Sequence, residues 1–214
     1  MQTNGIFKKS FFAGIFIGIA GFSYLANPYA GVFLFCIGLF GVIYYQLPLF
    51  TGTAGFLKSE KELKDLFLIL AGNLVGTALV ALCAVASPLD LKETADMIMH
   101  YRYDAGIPGV FILSIFCGVL MSFAVDFASS KNRCTSSGKE YTSGITRWLP
   151  LMFGIPVFIT CGFPHCIADN FYIWYWGFVS DPHTDYLYFI YFLLLNLFTI
   201  TGNFIGCNLY KKLS

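Results

Sequence analysis

Six long apolar segments, separated by polar connectors, are the feature that most limits how this chain can fold. They cover residues 10–26, 29–57, 66–86, 107–128, 148–179 and 186–210. A hydrocarbon core about 30 Å thick takes about 20 helical residues, so four segments have roughly the length of one crossing. The second and fifth are too long for one straight helix. We therefore expect an all-α polytopic membrane protein with six transmembrane helices, the second and fifth of them broken.

The composition agrees with a membrane protein. The chain is 57% hydrophobic and only 12% charged, with a mean hydropathy of +0.70, which a soluble domain does not reach. A formal net charge of +1 argues against a nucleic-acid partner. Of the seven cysteines only Cys134 lies in a polar loop, so the others are interpreted as small buried side chains. The first segment shows no small-residue cleavage site, and we retain it as a transmembrane helix.

The positive charges are distributed unevenly between the two sides. With the N-terminus inside, eleven of the thirteen Lys and Arg residues lie on the inner side, including Lys8 and Lys9, and only Lys92 and Arg102 lie outside. Positive residues favour the cytoplasmic side, so both termini are predicted to be cytoplasmic. We place the protein in the plasma membrane, the inner membrane of a prokaryote. Arg102, just outside the fourth segment, is expected to face water.

An internal repeat divides the chain into halves. The run Ala71-Gly-Asn-Leu-Val-Gly76 is echoed 130 positions later by Thr201-Gly-Asn-Phe-Ile-Gly206. The halves are about 10–88 and 105–210, within one transmembrane transporter domain, 1–214. Because each half has three spans, the halves should lie antiparallel as an inverted repeat. Interrupted segments at matching positions of such a repeat point to a transport pathway at their interface.

Helix breakers and polar residues coincide in the two long segments. Pro48 interrupts the second segment and Pro164 the fifth, where His165 stands directly beside the break. A titratable side chain at membrane depth is costly and typically lines a pathway; the alternative is a packed or interfacial histidine. Thr51, at the matching break, could face His165 across a pore or bond its own helix backbone.

Three further polar residues accompany the breaks. Asp169 follows His165 by one helical turn and either anchors the imidazole or caps the second half-helix. Asn73 and Asn203 each follow a glycine in the third and sixth segments. They either hold the interruptions by bonding freed backbone groups, or simply accompany glycines that pack helices.

No cofactor and no metal are predicted. His165 is the only histidine in an apolar segment, so a haem between helices would lack its second ligand. Cys161, His165 and Cys166 lack a fourth ligand for zinc. No phosphate-binding glycine loop or nucleophile elbow occurs, and we expect no enzyme.

Five motifs occur in the right order for a known family. They are Phe12-Ala-Gly-Ile-Phe-Ile-Gly-Ile-Ala20, Leu49-Phe-Thr-Gly52, Gly72-Asn-Leu-Val-Gly76, Gly162-Phe-Pro-His-Cys-Ile-Ala168 and Gly202-Asn-Phe-Ile-Gly206. On these motifs the chain resembles the formate/nitrite transporter family over essentially its whole length. The resemblance implies an aquaporin-like protomer assembled as a homopentamer, with one pore per subunit. It also implies that Thr51 and His165 meet in the pore centre, with Leu49 and Phe50 at the cytoplasmic-side constriction and Phe163 at the other.

The chain departs from the family pattern at several of these places. Gln46-Leu-Pro48 replaces the usual Gly-Ala-Glu, and Asp169 replaces an Asn. Gly118, which we assign to the substrate pathway, stands where a motif of the fourth helix usually has Asn. Arg102 stands where family members carry a vestibule lysine. These departures bear on the choice of substrate more than on the fold.

The predicted function is a channel or transporter for small monovalent anions of weak acids, formate first. A bare anion in a dry pore centre faces a large desolvation cost, which proton transfer to the anion near His165 would remove. Arg102 outside and Lys8 and Lys9 inside would concentrate anions at the mouths. Nitrite, hydrosulfide and lactate or acetate are alternative substrates. Two different functions also fit the sequence: a neutral small-solute pore, and a non-transporting membrane enzyme or redox subunit.

Overall fold

The computed structural model describes residues 3–57, 59–129, 144–181 and 185–213. Within these ranges the chain forms nine α-helices: α1 (Thr3–Ala26), α2 (Pro28–Leu34), α3 (Cys36–Tyr44), α4 (Phe50–Thr53), α5 (Glu60–Val85), α6 (Lys92–Ser129), α7 (Leu149–Thr160), α8 (Cys166–Val179) and α9 (Tyr186–Leu213). A 3-10 turn, Gly144–Trp148, precedes α7. Cys134 and four cations that entered the orientation count lie outside the described residues: Lys58, Lys131, Arg133 and Lys139.

Four helices of the described part are long and apolar enough to cross a membrane. They are Gly5–Ala26, Lys61–Val85, Lys92–Ser129 and Tyr186–Lys212. The second and fifth apolar segments are divided into shorter pieces, α2 to α4 and α7 to α8. The prediction that these two segments are broken is therefore confirmed. That each of them adds one crossing, for six in total, stays a prediction.

Two equivalent helix pairs frame the broken segments. The most extensive helix contacts are those of α1 with α5 and of α6 with α9. A Cβ on Gly14 would overlap the carbonyl oxygen of Asn73, and a Cβ on Gly118 would overlap that of Asn203. Small residues allow this close approach of helix backbones. Gly118, which the sequence assigns to the pathway, lies in the contact between α6 and α9. Its pathway role stays a prediction.

The fourth apolar segment begins earlier than its hydropathy indicates. The sequence predicts a helix over 107–128, whereas α6 starts at Lys92 and is interrupted at Gly106, which has a φ of 60° and a ψ of −179°. Pro108 follows this kink. The part before Gly106 is rich in charged residues, so its hydropathy is too low for it to be recognised as part of an apolar segment. Arg102 therefore lies on a helix, in a part of α6 that the predicted helix over 107–128 does not include.

Candidate functional site

The two breaks have the same backbone course. Gln46 and Gly162 are in the left-handed region, with φ of 52° and 65°. Three residues later come the N-cap residues of α4 and α8: Leu49, with φ −114° and ψ 137°, and His165, with φ −116° and ψ 111°. A proline precedes each cap. The structural counterpart of His165 is therefore Leu49, and Thr51 lies two residues further into its half-helix.

Asn73 of α5 holds the first break. Its Oδ1 accepts the backbone N–H of Phe50 at 2.9 Å, and its Nδ2 donates to the carbonyl oxygens of Ser10 at 2.8 Å and Pro48 at 3.1 Å. Backbone groups freed at a break need such partners in a medium without water. One amide thus ties α1, the break and α4 together.

Asn203 of α9 holds the second break in the same way. Its Oδ1 accepts the N–H of Cys166 at 2.9 Å, and its Nδ2 donates to the carbonyl oxygens of Ser114 at 2.8 Å and Pro164 at 3.0 Å. Cys166 and Pro164 flank His165, so Asn203 fixes the backbone on both sides of the histidine. The sequence left two roles open for Asn73 and Asn203. The structure shows the first of them, since both amides form hydrogen bonds with backbone groups at the breaks.

Replacing Asn203 by leucine is expected to lower stability by about 2 kcal/mol, because hydrogen bonds in membrane proteins average about 0.6 kcal/mol and three are lost. Thermal unfolding in detergent measures the change. Asn196→Leu is the matched control: Asn196 lies on the same helix, is also buried, and its Oδ1 has no hydrogen-bond partner within the described part. Equal losses in the two variants would contradict the role of Asn203.

His165 and Thr51 meet between the two half-helices. The Oγ1 of Thr51 lies 3.0 Å from the Nε2 of His165, and both residues are buried, with 0% and 1% exposure. The Nδ1 of His165 accepts the N–H of Ala168 at 3.2 Å and so caps α8. Because Nδ1 accepts, the proton of the neutral ring is on Nε2, which donates to Thr51. The pair is thus an uncharged hydrogen bond at the junction of the two halves.

Asp169 is bound by Arg102. The Nε and Nη2 of Arg102 donate to the two carboxylate oxygens of Asp169 at 2.8 and 3.0 Å, and Nη1 donates to the carbonyl oxygen of Gly162 at 2.8 Å. Both side chains are buried, with residue exposures of 8% and 4%. A buried charge requires such a partner. The expectation that Arg102 faces water is therefore wrong. The side chain of Asp169 binds Arg102 and neither anchors the imidazole of His165 nor caps α8.

A cavity of about 210 Å³ lies beside this ion pair and next to the second break. Its lining includes Arg102, Asp169, Gly162, Phe163 and three tyrosines, Tyr24, Tyr101 and Tyr172. The ring of Phe163 packs against that of Phe116, with 5.7 Å between centroids. The wall of the cavity thus combines aromatic and aliphatic side chains with one compensated pair of charges.

A model of one protein family, described as formate/nitrite transporter, matches residues 1–211. The match covers nearly the entire chain, including both breaks and both asparagines. The chain belongs to the formate/nitrite transporter family. It is accordingly an integral membrane protein of a family of transporters, as its motifs and long apolar helices indicate.

Two solved structures have the same fold as this chain. A pentameric formate channel with formate bound superposes with a TM-score of 0.78 at 22% identity, over 99% of this chain and 95% of the other. An ion channel of the FNT family superposes with a TM-score of 0.79, also at 22% identity, over 99% and 89% of the two chains. No curated protein matches the chain.

The remaining residues that the sequence analysis singled out lie in different surroundings. Leu49 and Phe50 are buried, with 2% and 3% exposure, at the start of α4. Lys8 and Lys9 are exposed in the first turns of α1. Within the described part of the chain, no group of three or more His, Cys, Asp or Glu side chains is arranged to hold a metal ion.

Two groups of polar contacts at the site are not evident from the motifs. The Nδ2 of Asn170 donates to the Oγ1 of Thr77 at 2.7 Å, which ties α8 to α5. The carbonyl oxygen of Thr51 accepts from Ser122 and Cys207. Asn170 could have been found as a second polar residue next to Asp169 at membrane depth. Ser122 and Cys207 carry no such signal, because serine and cysteine are common in buried helices.

Proposed function

We propose that this protein is a channel for small monovalent anions of weak acids, with formate as the first candidate, and that passage is linked to protons. The observation that carries the proposal is the uncharged Thr51–His165 hydrogen bond, buried between two broken helices of a formate/nitrite transporter. Interrupted helices that meet in an inverted repeat commonly form the binding site of a transporter. A substrate passing this point would meet the Nε2–H of His165 and the hydroxyl of Thr51.

Charge determines the form in which the substrate crosses. The free energy of removing the water shell from a carboxylate in the dry centre is several kcal/mol or more. Uptake of one negative charge against the membrane potential costs about a further 2.3 kcal/mol per 100 mV. We propose that the anion accepts a proton close to His165, so that formate and a proton cross as formic acid. Since Nδ1 is occupied by the Ala168 N–H, His165 contributes the Nε2–H as a hydrogen-bond donor to the substrate in place of Thr51.

The mouths of the pore differ in charge. Lys8 and Lys9 are exposed and would attract anions from the cytoplasmic side. Arg102 lines the cavity on the other side, but its charge is compensated by Asp169. We therefore propose weak anion attraction at that mouth and passage mainly in the protonated form, in contrast to the stronger attraction that the sequence suggested.

The assembly and topology belong to the same proposal. We infer a homopentamer with one pore per subunit in the plasma membrane of a prokaryote, with both termini cytoplasmic. Large apolar side chains are exposed on the broken helices, among them Phe33, Ile37 and Phe153 at 66%, 60% and 68%. Such side chains need lipid or a neighbouring copy to cover them, which supports an oligomer in a bilayer.

The compensated Arg102 also supports a second candidate, a pore for small neutral solutes. A vestibule without net charge does not distinguish an anion from a neutral molecule by attraction. Nitrite, hydrosulfide and lactate or acetate remain alternative anions within the proposal, because each is the base of a weak acid.

Uptake into proteoliposomes tests the proposal. Formate, nitrite, hydrosulfide and lactate are compared at two external pH values, with protein-free liposomes as the control for diffusion of the free acid. We expect protein-dependent formate uptake that rises as the external pH falls. Stopped-flow swelling with glycerol separates the candidates: accelerated swelling without formate uptake above the control would refute the anion channel and favour the neutral pore.

A further inference from the structure

The carbonyl group of Thr51 is held by two side chains of the other half of the protein. The Sγ of Cys207 on α9 lies 3.2 Å from this oxygen, and the hydroxyl of Ser122 on α6 donates to it at 3.3 Å. The thiol lies farther, 3.6 Å, from the carbonyl oxygen of Gly118. Cys207 and Ser122 are both fully buried. Two donors from two helices thus converge on one backbone oxygen at the pore centre.

The brevity of α4 explains why such donors are needed. This helix has four residues, and its helical bond from Ala54 N–H is made to Phe50. A carbonyl oxygen at the end of a short helix must find a partner elsewhere, and in a membrane water cannot provide one. Cys207 and Ser122 are the hydrogen-bond donors to the Thr51 carbonyl oxygen.

The corresponding position of the other half has a related contact. Cys207 directly follows Gly202-Asn-Phe-Ile-Gly206, as Thr77 follows Gly72-Asn-Leu-Val-Gly76. The Thr77 hydroxyl accepts from Asn170 of α8. In each half, the residue after this motif therefore bonds across to the broken helix of the other half.

We propose that Cys207 is a positioning residue for the pore centre. With Ser122, its thiol fixes the Thr51 carbonyl and thereby sets the Thr51 hydroxyl against the Nε2 of His165. The inference rests on the proposed function, because it assigns Cys207 to the site that the substrate passes. Cys207 itself acts through Thr51.

Uptake of formate by Cys207 variants tests the effect on transport. A single hydrogen bond contributes about 0.5–1.5 kcal/mol, so Cys207→Ala is expected to reduce uptake about two- to tenfold and to change its dependence on pH. Cys207→Ser retains a donor and should recover most of the activity. The control is Cys117→Ala, which removes another fully buried thiol at a position outside the Thr51 contacts and should leave uptake within about twofold of the wild type.

The outcomes separate positioning from packing. Wild-type uptake in Cys207→Ala would overturn the proposal, as would equal losses in the alanine and serine variants. A loss that merely follows the amount of folded protein, with the pH dependence unchanged, would assign Cys207 a structural role only and would overturn it as well.

Infrared spectroscopy tests the contact without any transport assay. Subtracting the spectrum of Cys207→Ala from that of the wild type isolates the S–H stretching band of Cys207. Cys207→Ser replaces the alanine variant if alanine prevents folding. A donor thiol should show a lowered frequency, which changes when Ser122→Ala removes the second donor to the same oxygen. The frequency of a free thiol would overturn the proposal. If the wild type transported no anion while the lowered band was present, the proposed function alone would have failed.

Discussion

Replacing His165 by serine is expected to reduce formate uptake about ten- to hundredfold and to abolish its acceleration at low pH. Serine is too short to reach Thr51, so the Nε2–H is lost from the centre of the pore. A hydrogen bond to a charged group such as the formate anion contributes about 1.5–3 kcal/mol, which corresponds to this loss in rate. Uptake into proteoliposomes at two pH values is the measurement.

The choice of serine separates transport from folding. The Nδ1 of His165 caps α8 by accepting the N–H of Ala168, and serine is among the best residues at an N-cap, whereas alanine is a poor one. His165→Ser should therefore be more stable than His165→Ala, by about 1 kcal/mol, while both lose uptake. If His165→Ser kept the pH-dependent uptake of the wild type, His165 would have no part in proton-linked passage.

The second large effect is expected at the Arg102–Asp169 pair. Asp169→Asn leaves the buried guanidinium without its compensating charge, and removal of one partner of a buried pair costs about 3–5 kcal/mol. The double variant Arg102→Met, Asp169→Leu removes both charges and should recover most of the stability, because an apolar pair of similar volume is often as stable. Thermal unfolding in detergent compares the three proteins.

A surface pair is the matched control for this experiment. Lys92 and Asp96 form an ion pair at 2.7 Å with side chains 48% and 36% exposed. Lys92→Met should cost less than about 1 kcal/mol, since exposed pairs contribute little. A double variant as unstable as Asp169→Asn would show that packing, and not the uncompensated charge, determines the loss.

The features of the site that the sequence predicts share one property: each is indicated by a local pattern within a few residues of it. Pro48 and Pro164 mark the breaks because proline cannot donate within a helix. His165 and Thr51 are noticeable because they are polar at membrane depth beside those breaks. Asn73 and Asn203 belong to motifs that repeat. The structure then brings His165 and Thr51 to 3.0 Å and both asparagines onto the breaks.

The features that the sequence misses are pairings between distant positions. Arg102 and Asp169 are 67 residues apart, and Cys207 lies 156 residues from Thr51. The sequence leaves Arg102 outside the fourth segment because the charged residues near it lower the local hydropathy, although the chain there is helical. The buried side chain is bonded there to the carboxylate of Asp169 on α8 and to the carbonyl oxygen of Gly162.

By itself, the sequence determined the class of the protein, the two breaks and the polar residues beside them, because helix length, proline and intramembrane charge act locally. The resemblance implies that Thr51 and His165 meet, but the other partners of these residues were decided only by the tertiary structure. It matched Leu49 with His165, compensated Asp169 with Arg102, and supplied the Thr51 carbonyl with donors from α6 and α9. Contacts of this kind depend on how the helices pack in three dimensions, and glycines such as Gly14 and Gly118 set the distance of that packing.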